Sequence, residues 1–217
     1  MRSLHILALA VALGAGLAGC KFVETAELQA QAAAAASQKA SAGKTPSDDW
    51  DSRVLPHMRE AAVPVATLRA ALGSEGLEAA GASYGHREGG EGTPFTYVAR
   101  VEGTIVEANT QSRAATAGVD IDGDGASDVT LQLGPVIRGT ALRDALPFVS
   151  FTDYENQIEF ARAAKAFNAE ANARVLEAVP RDSLVGSQVR AIGAATVRKA
   201  DETLLVTPVE VEIEAAS

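Results

Sequence analysis

Phe95-Thr96-Tyr97-Val98-Ala99-Arg100-Val101-Glu102-Gly103-Thr104-Ile105-Val106 decides how this chain folds. Phe95, Tyr97, Ala99 and Val101 alternate with polar or small residues, the period of a strand with one face on a core. Thr104-Ile105-Val106 continues that strand past Gly103. Residues 112–121 predict a second, weaker strand and residues 129–133 a third, with the turn signal Asp122-Gly123-Asp124-Gly125 between them. Residues 153–179 predict the clearest helix. Thr152-Asp153-Tyr154-Glu155 matches a capping box, and Phe160, Ala164, Phe167, Ala171 and Val175 make a buried stripe ahead of Pro180. Residues 188–198 and 203–213 close the chain as two more strands.

The order from Phe95 is strand, strand, strand, helix, strand, strand. It predicts an α+β protein built on an OB-like five-stranded antiparallel β-barrel with a helix between strands 3 and 4. Gly103, Gly186 and Gly193 suit strands that bend sharply. An open antiparallel sheet with one helix across it has the same order. Ahead of the barrel, residues 45–94 predict a helical segment followed by a glycine-rich loop. Trp50, Val54 and Met58 share one helical face, and Pro56 within this run predicts a kink or an early break. Pro64 opens a second piece with Val65, Leu68 and Leu72 on one face. Gly73 is expected to end it, leaving a loop to Pro94.

The N-terminus reads differently. Met1–His5 carries Arg2 and no acid, Ile6–Leu17 is apolar or small, and Leu17-Ala18-Gly19-Cys20 follows. A positive start, a short apolar stretch and small residues at a cut site describe a secretory signal over residues 1–19, too short to span a membrane. Leu17–Cys20 resembles the bacterial lipobox, whose cysteine becomes the acylated first residue of the mature protein. Cys20 is the chain's single cysteine, so lipidation uses up its thiol and the mature fold holds without an internal disulfide. Residues 20–44, rich in Ala, Gln and Ser, predict a solvated tether. Fatty acyl chains such as palmitate, at about 0.8 kcal/mol per buried methylene, make membrane attachment stable. Lys21 after the cysteine favours the outer membrane over the inner. The domain organisation is therefore signal 1–19, tether 20–44, helical segment and glycine loop 45–94, and barrel 95–217.

The chain has 19 Lys and Arg against 28 Asp and Glu, a formal net charge of −9, and 5% aromatic residues. OB-folds that bind nucleic acid use basic grooves and stacking aromatics, so this composition argues against a nucleic-acid partner and against anionic lipid. Asp120, Asp122, Asp124 and Asp128 occupy positions 1, 3, 5 and 9 of an acidic loop. Alternate side chains at that spacing converge on a hard cation such as calcium (Ca2+), although Leu131 stands where an EF-hand needs an acid; a plain acidic turn is the competing account. Gly134-Pro135-Val136-Ile137-Arg138-Gly139-Thr140-Ala141-Leu142-Arg143-Asp144 joins strand to helix with two arginines, whose forks bind carboxylate or phosphate. Asn156 and Gln157 in the next helix's first turn could face the same spot, making Arg138, Arg143, Asp144, Asn156 and Gln157 a candidate ligand or partner site. Alternatively, an arginine pairs internally with Asp144 or Asp153 and staples the connection. Of the three histidines, His5 leaves with the signal, and His57 and His86 lack metal-ligand spacing. No nucleophile elbow, P-loop or Rossmann glycine pattern is present, and catalytic residues are none.

Leu17–Lys21, Tyr84-Gly85-His86-Arg87, the stretch Gly134–Asp144 running into Asn156-Gln157-Ile158-Glu159, and Thr207-Pro208-Val209 together resemble the predicted periplasmic lipoproteins filed as domain of unknown function 2291. That resemblance implies a periplasmic lipoprotein with no established activity, often encoded near sugar-type ABC transporters. The expectation is a membrane-anchored, non-enzymatic binding or accessory protein, with a transporter component or another envelope protein as partner. An envelope enzyme acting on a sugar is the alternative; it needs two converging carboxylates or a strongly perturbed titrating group. Mass spectrometry of the mature protein should find a diacyl- or triacyl-cysteine N-terminus at residue 20, and Cys20→Ala should release the protein or block its processing.

Overall fold

The structure, a computed structural model, describes residues 46–215. The signal segment, Cys20 and the tether 20–44 lie outside the described residues. Five strands form the barrel: β1 Phe95–Asn109, β2 Ala114–Asp120, β3 Val129–Pro135, β4 Gln188–Val197 and β5 Leu204–Glu214. Their order is β1-β2-β3-β5-β4, and β4 closes the ring on β1. This is the closed OB-type barrel rather than an open sheet. Its ladders are antiparallel except the β3–β5 seam, where Val129, Thr130 and Leu131 run parallel to Leu204, Leu205 and Val206.

Barrel closure depends on β1 serving two neighbours. It pairs with β4 from Phe95↔Val197 to Thr104↔Gln188, and from Thr104↔Asp120 onward it pairs with β2. Gly103 sits at this corner. A Cβ there would strike the Asp120 carbonyl, and would lie 2.9 Å from Val119 Cγ1. Gly193 plays the same part on β4 at a register shift, against the Thr207 carbonyl. Both strands bend where a side chain would hold their neighbours apart.

Two apolar cores result. Tyr97, Ala99, Val101, Ile105, Leu131, Leu133 and Val206 fill the barrel. Val98, Ala194 and Val209 point outward from the same strands and join a second cluster with Trp50, Met58, Leu146 and Phe167. The outer cluster is covered by an N-terminal run and by the helices of the β3–β4 connection. The run begins with a helical turn Pro46–Asp49, passes through a π-helical turn Trp50–Val54 and continues as α1, Leu55–Ala61. Pro56 lies in the first turn of α1. A proline there has no amide to give the preceding turn and its ring crowds a carbonyl four residues back, so the expected kink is realised as a π turn.

Helix α2, Val65–Tyr84, is longer than the sequence suggests. The segment after Gly73 was expected to be a loop; it continues as helix to Tyr84, with one break at Gly76, whose φ is 81°. The continuation is driven by burial, because Leu77 and Ala80 join Val65, Leu68 and Leu72 against the barrel core. Pro64 precedes this helix rather than opening it, and both ends are strapped to β1: Val63–Pro64 run parallel to Ala99–Arg100, and Gly85–His86 run antiparallel to Tyr97 and Thr96.

The β3–β4 connection contains α3 Ala141–Asp144, a 3-10 turn Phe151–Asp153 and α4 Gln157–Arg174. Two expectations are corrected here. The long helix spans 157–174 rather than 153–179, and Thr152–Glu155 is not its cap. Ser150 and Asp153 form a capping box on the 3-10 turn instead, and Asn156 caps α4, its Oδ1 accepting the amides of Ile158 at 2.9 Å and Glu159 at 3.0 Å.

Gly103→Ala should lower stability by about 1–3 kcal/mol in urea unfolding, because the obstructing atom is backbone. Gly73→Ala, with nothing within 4 Å of its new Cβ, should be neutral or stabilise by up to about 1 kcal/mol as an exposed helical site.

Candidate functional site

The Gly134–Asp144 connection is held from four sides. Val136 donates its amide to the Arg113 carbonyl at 2.9 Å. Gln132 on β3, buried to 3% exposure, clamps the backbone of Arg138: its Nε2 donates to the Arg138 carbonyl at 3.0 Å and its Oε1 accepts the Arg138 amide at 2.8 Å. The same Nε2 donates to Thr207 Oγ1 at 2.7 Å. Asn168 on α4 donates to the Gly139 carbonyl at 3.0 Å. These bonds satisfy both ends of the buried Gln132 amide, as low-dielectric surroundings require.

Arg143 is the fourth support and is 8% exposed. Its Nε donates to Asp144 Oδ1 at 2.7 Å, Nη2 donates to the same oxygen, and Nη1 donates to the Phe160 carbonyl at 2.9 Å. The guanidinium lies over the Phe160 ring at 3.5 Å from its centroid, a cation–π contact strengthened by burial. Thr140 Oγ1 donates to Asp144 Oδ2. Arg143 therefore forms the internal staple, and Arg138 does not join it: the Arg138 side chain is exposed and only its backbone is held. Asn156 is committed to capping, and Gln157 is exposed beside it. Of the five residues grouped by sequence, the structure brings Arg143 and Asp144 together.

Arg143 and Asp144 line a cavity of about 180 Å³ on the outer wall of the barrel. The wall contributes Thr96 from β1 and Thr196 from β4, whose hydroxyls bond each other at 3.0 Å. The loop after α2 contributes His86, Glu88, Thr93 and Pro94, and α4 contributes Phe160. His86 Nδ1 donates to the Asp144 carbonyl at 2.9 Å, which fixes the ring. Glu88 Oε1 accepts from Ser150 Oγ and from the Phe151 amide, each at 2.6 Å. Tyr154 packs on Phe160 with ring centroids 5.3 Å apart. Burial, aided by the Asp153 charge and opposed by Arg143, raises its hydroxyl pKa above the ordinary tyrosine value. Sequence reasoning missed Gln132, Glu88, Thr96, Thr196 and Asn168; the distinctive Tyr84–Arg87 stretch was the one signal pointing to the loop side.

The other histidine, His57, donates to the Ala145 carbonyl at 3.0 Å and stacks edgewise on Phe148. The two histidines together tie the end of α3, a packing role.

In the acidic loop, Asp120, Asp122 and Asp124 bring carboxylate oxygens within 4.8 Å of one another and are the described residues that could hold a hard cation. Asp128 is outside this group. Its Oδ2 accepts the Ile121 amide at 2.9 Å and its Oδ1 pairs with Arg69 on α2. The loop also organises itself. Asp120 accepts the amides of Gly123 at 2.7 Å, Gly125 at 2.8 Å and Asp122 at 3.1 Å. The amides of Gly123 and Gly125 hold the Asp120 carboxyl below its ordinary pKa, with burial opposing them. A carboxyl lowered in the folded state stabilises the fold above its unfolded pKa, and that contribution is lost as pH falls through the folded value.

The face over β2 and β3, where OB-folds commonly bind oligomeric ligands, presents Thr116 and Thr130 together with Leu205 from β5. It has neither the charge nor the stacking surface of a nucleic-acid groove.

The closed five-stranded barrel with its connecting helix makes this an OB-fold domain. An OB-fold protein from Thermotoga maritima has the same fold, with a TM-score of 0.55 at 23% identity over 69% of this chain and 84% of that chain. The chain belongs to the family of predicted periplasmic lipoproteins known as domain of unknown function 2291, whose model matches residues 10–212. No protein of curated function matches it. Among the described residues, no helix is long and apolar enough to cross a membrane.

Arg143→Ala should lower stability by about 3 kcal/mol in urea unfolding, because it leaves the Asp144 charge and the Phe160 carbonyl without their partner. A variant as stable as the wild type would show that these bonds do not staple the connection.

Proposed function

We propose that this chain is a lipid-anchored, non-enzymatic binding and accessory protein of the periplasm that works beside a transport system. The observation that carries the proposal is convergence: the His86–Glu88 loop and the Gly134–Asp144 connection, distant in sequence, meet at one cavity on the barrel wall. Charged side chains fixed around a cavity are the usual signature of a binding site.

The enzymatic alternative requires two converging carboxylates or a strongly perturbed titrating group. Glu88 and Asp144 both line the cavity, but Asp144 is engaged by Arg143 and Thr140. An acid stapled in this way is poorly placed to move a proton, which favours binding over turnover. The barrel interior is filled by side chains, so the outer wall is left as the working surface.

Wild-type lipoprotein, solubilised from its own membranes in mild detergent and cross-linked, should retain a transport component of the envelope. Turnover of an envelope saccharide by the purified protein, lost in Asp144→Asn, would replace this proposal with the enzymatic one.

A further inference from the structure

We propose that the outer-wall cavity takes a small free amino acid, its ammonium group facing Glu88 and its carboxylate facing Arg143. This deepens the binding role above and rests on the cavity being the binding site. The inference follows from which hydrogen-bonding capacity remains once the internal bonds are made.

The cavity is polarised. The charge of Arg143 is answered by Asp144. Glu88 receives its hydrogen bonds from neutral donors, Ser150 Oγ and the Phe151 amide, both on Oε1. Its negative charge has no cation paired with it among the described residues. His86 donates through Nδ1 to the Asp144 carbonyl, which fixes the ring beside Glu88 in the cavity lining. The loop side of the cavity thus offers the Glu88 carboxylate, a charged acceptor that suits the donors of an ammonium group.

Donors lie on the connection side. Arg143 has five N–H groups. The bonds from Nε, Nη2 and Nη1 use three of them, which leaves one on each terminal nitrogen to donate to a carboxylate. Donors on one side and acceptors on the other match a zwitterion, and a ligand with one charge would satisfy one side alone.

Size and surface agree. About 180 Å³, close to the roughly 150 Å³ of an engineered protein cavity that binds benzene, suits a ligand of roughly six non-hydrogen atoms, the scale of alanine or serine. Sugar rings stack on open aromatic faces, but one face of Phe160 is covered by the Arg143 guanidinium, and Phe151 and Tyr154 pack on the same ring.

Titration calorimetry on the intact mature protein tests this with alanine, serine, propionate, ethylamine and glucose. Alanine or serine should bind, with propionate and ethylamine weaker by roughly tenfold or more. Glu88→Gln keeps an oxygen for Ser150 and Phe151 while removing the charge; it should weaken alanine binding by roughly tenfold without lowering the melting temperature. Ethylamine or propionate binding as tightly as alanine, glucose binding in preference, or no heat from any of the five at millimolar concentration would overturn the proposal. Each of those results leaves the capture of a transport component unaffected, so failure here is distinguishable from failure of the accessory role.

Discussion

One buried amide, that of Gln132, sets much of the geometry. The parallel β3–β5 ladder stops at Leu131↔Val206, and the next residue of β3 continues the contact through its side chain. Gln132 reaches Thr207 on β5 and, with both ends of its amide, the backbone of Arg138. A single side chain therefore closes the seam of the barrel and fixes the start of the β3–β4 connection. The position of α3 follows from that, and with it the direction of Arg143. An amide can do this because it donates and accepts on one rigid plane. A carboxylate or an aliphatic side chain at the same position would leave one of those backbone groups unpaired in the interior.

The barrel and its covering are energetically distinct layers. Strand β1 is buried on both faces along Phe95–Ala99, because Tyr97 and Ala99 turn into the barrel while Val98 turns out beneath the helices. In a barrel standing alone, the outward positions would face water. Here the helices of the long connection and the N-terminal run convert them into a second core, and the cavity lies at the edge of that outer layer.

The order of strands and the one long helix were legible in the sequence because each carries its own period, and the glycines at the barrel corners were legible because Gly103 and Gly193 interrupt apolar strands. The second half of α2 was not. Its glycines mask the helix locally, and what makes it helical is remote: Leu77 and Ala80 pack on the barrel, and Gly81 leaves room for the Phe95 ring. The start of α4 was misplaced because threonine and glutamate at capping spacing look alike in any context, while Asn156 is the residue whose backbone is extended enough to cap. The candidate site was half legible. Arg143 and Asp144 stood out by composition, but the chain turns between Arg138 and Arg143, so proximity in sequence was misleading. Glu88, Thr96 and Thr196 belong to three segments brought together by barrel closure, and no local pattern announces that.

The strapping of α2 to β1 at both ends has a mechanical consequence. Val63–Pro64 and Gly85–His86 dock on neighbouring residues of the same strand, so the helix between them is a closed loop anchored at a common base. The strap at Gly85–His86 leads directly into Glu88 at the cavity mouth. A load entering at Pro46 would meet the packed run Trp50–Met58 and then the first strap before it reached the loop beyond His86, and would pass into the barrel wall. The loop that carries Glu88 is thus shielded from strain entering ahead of α1.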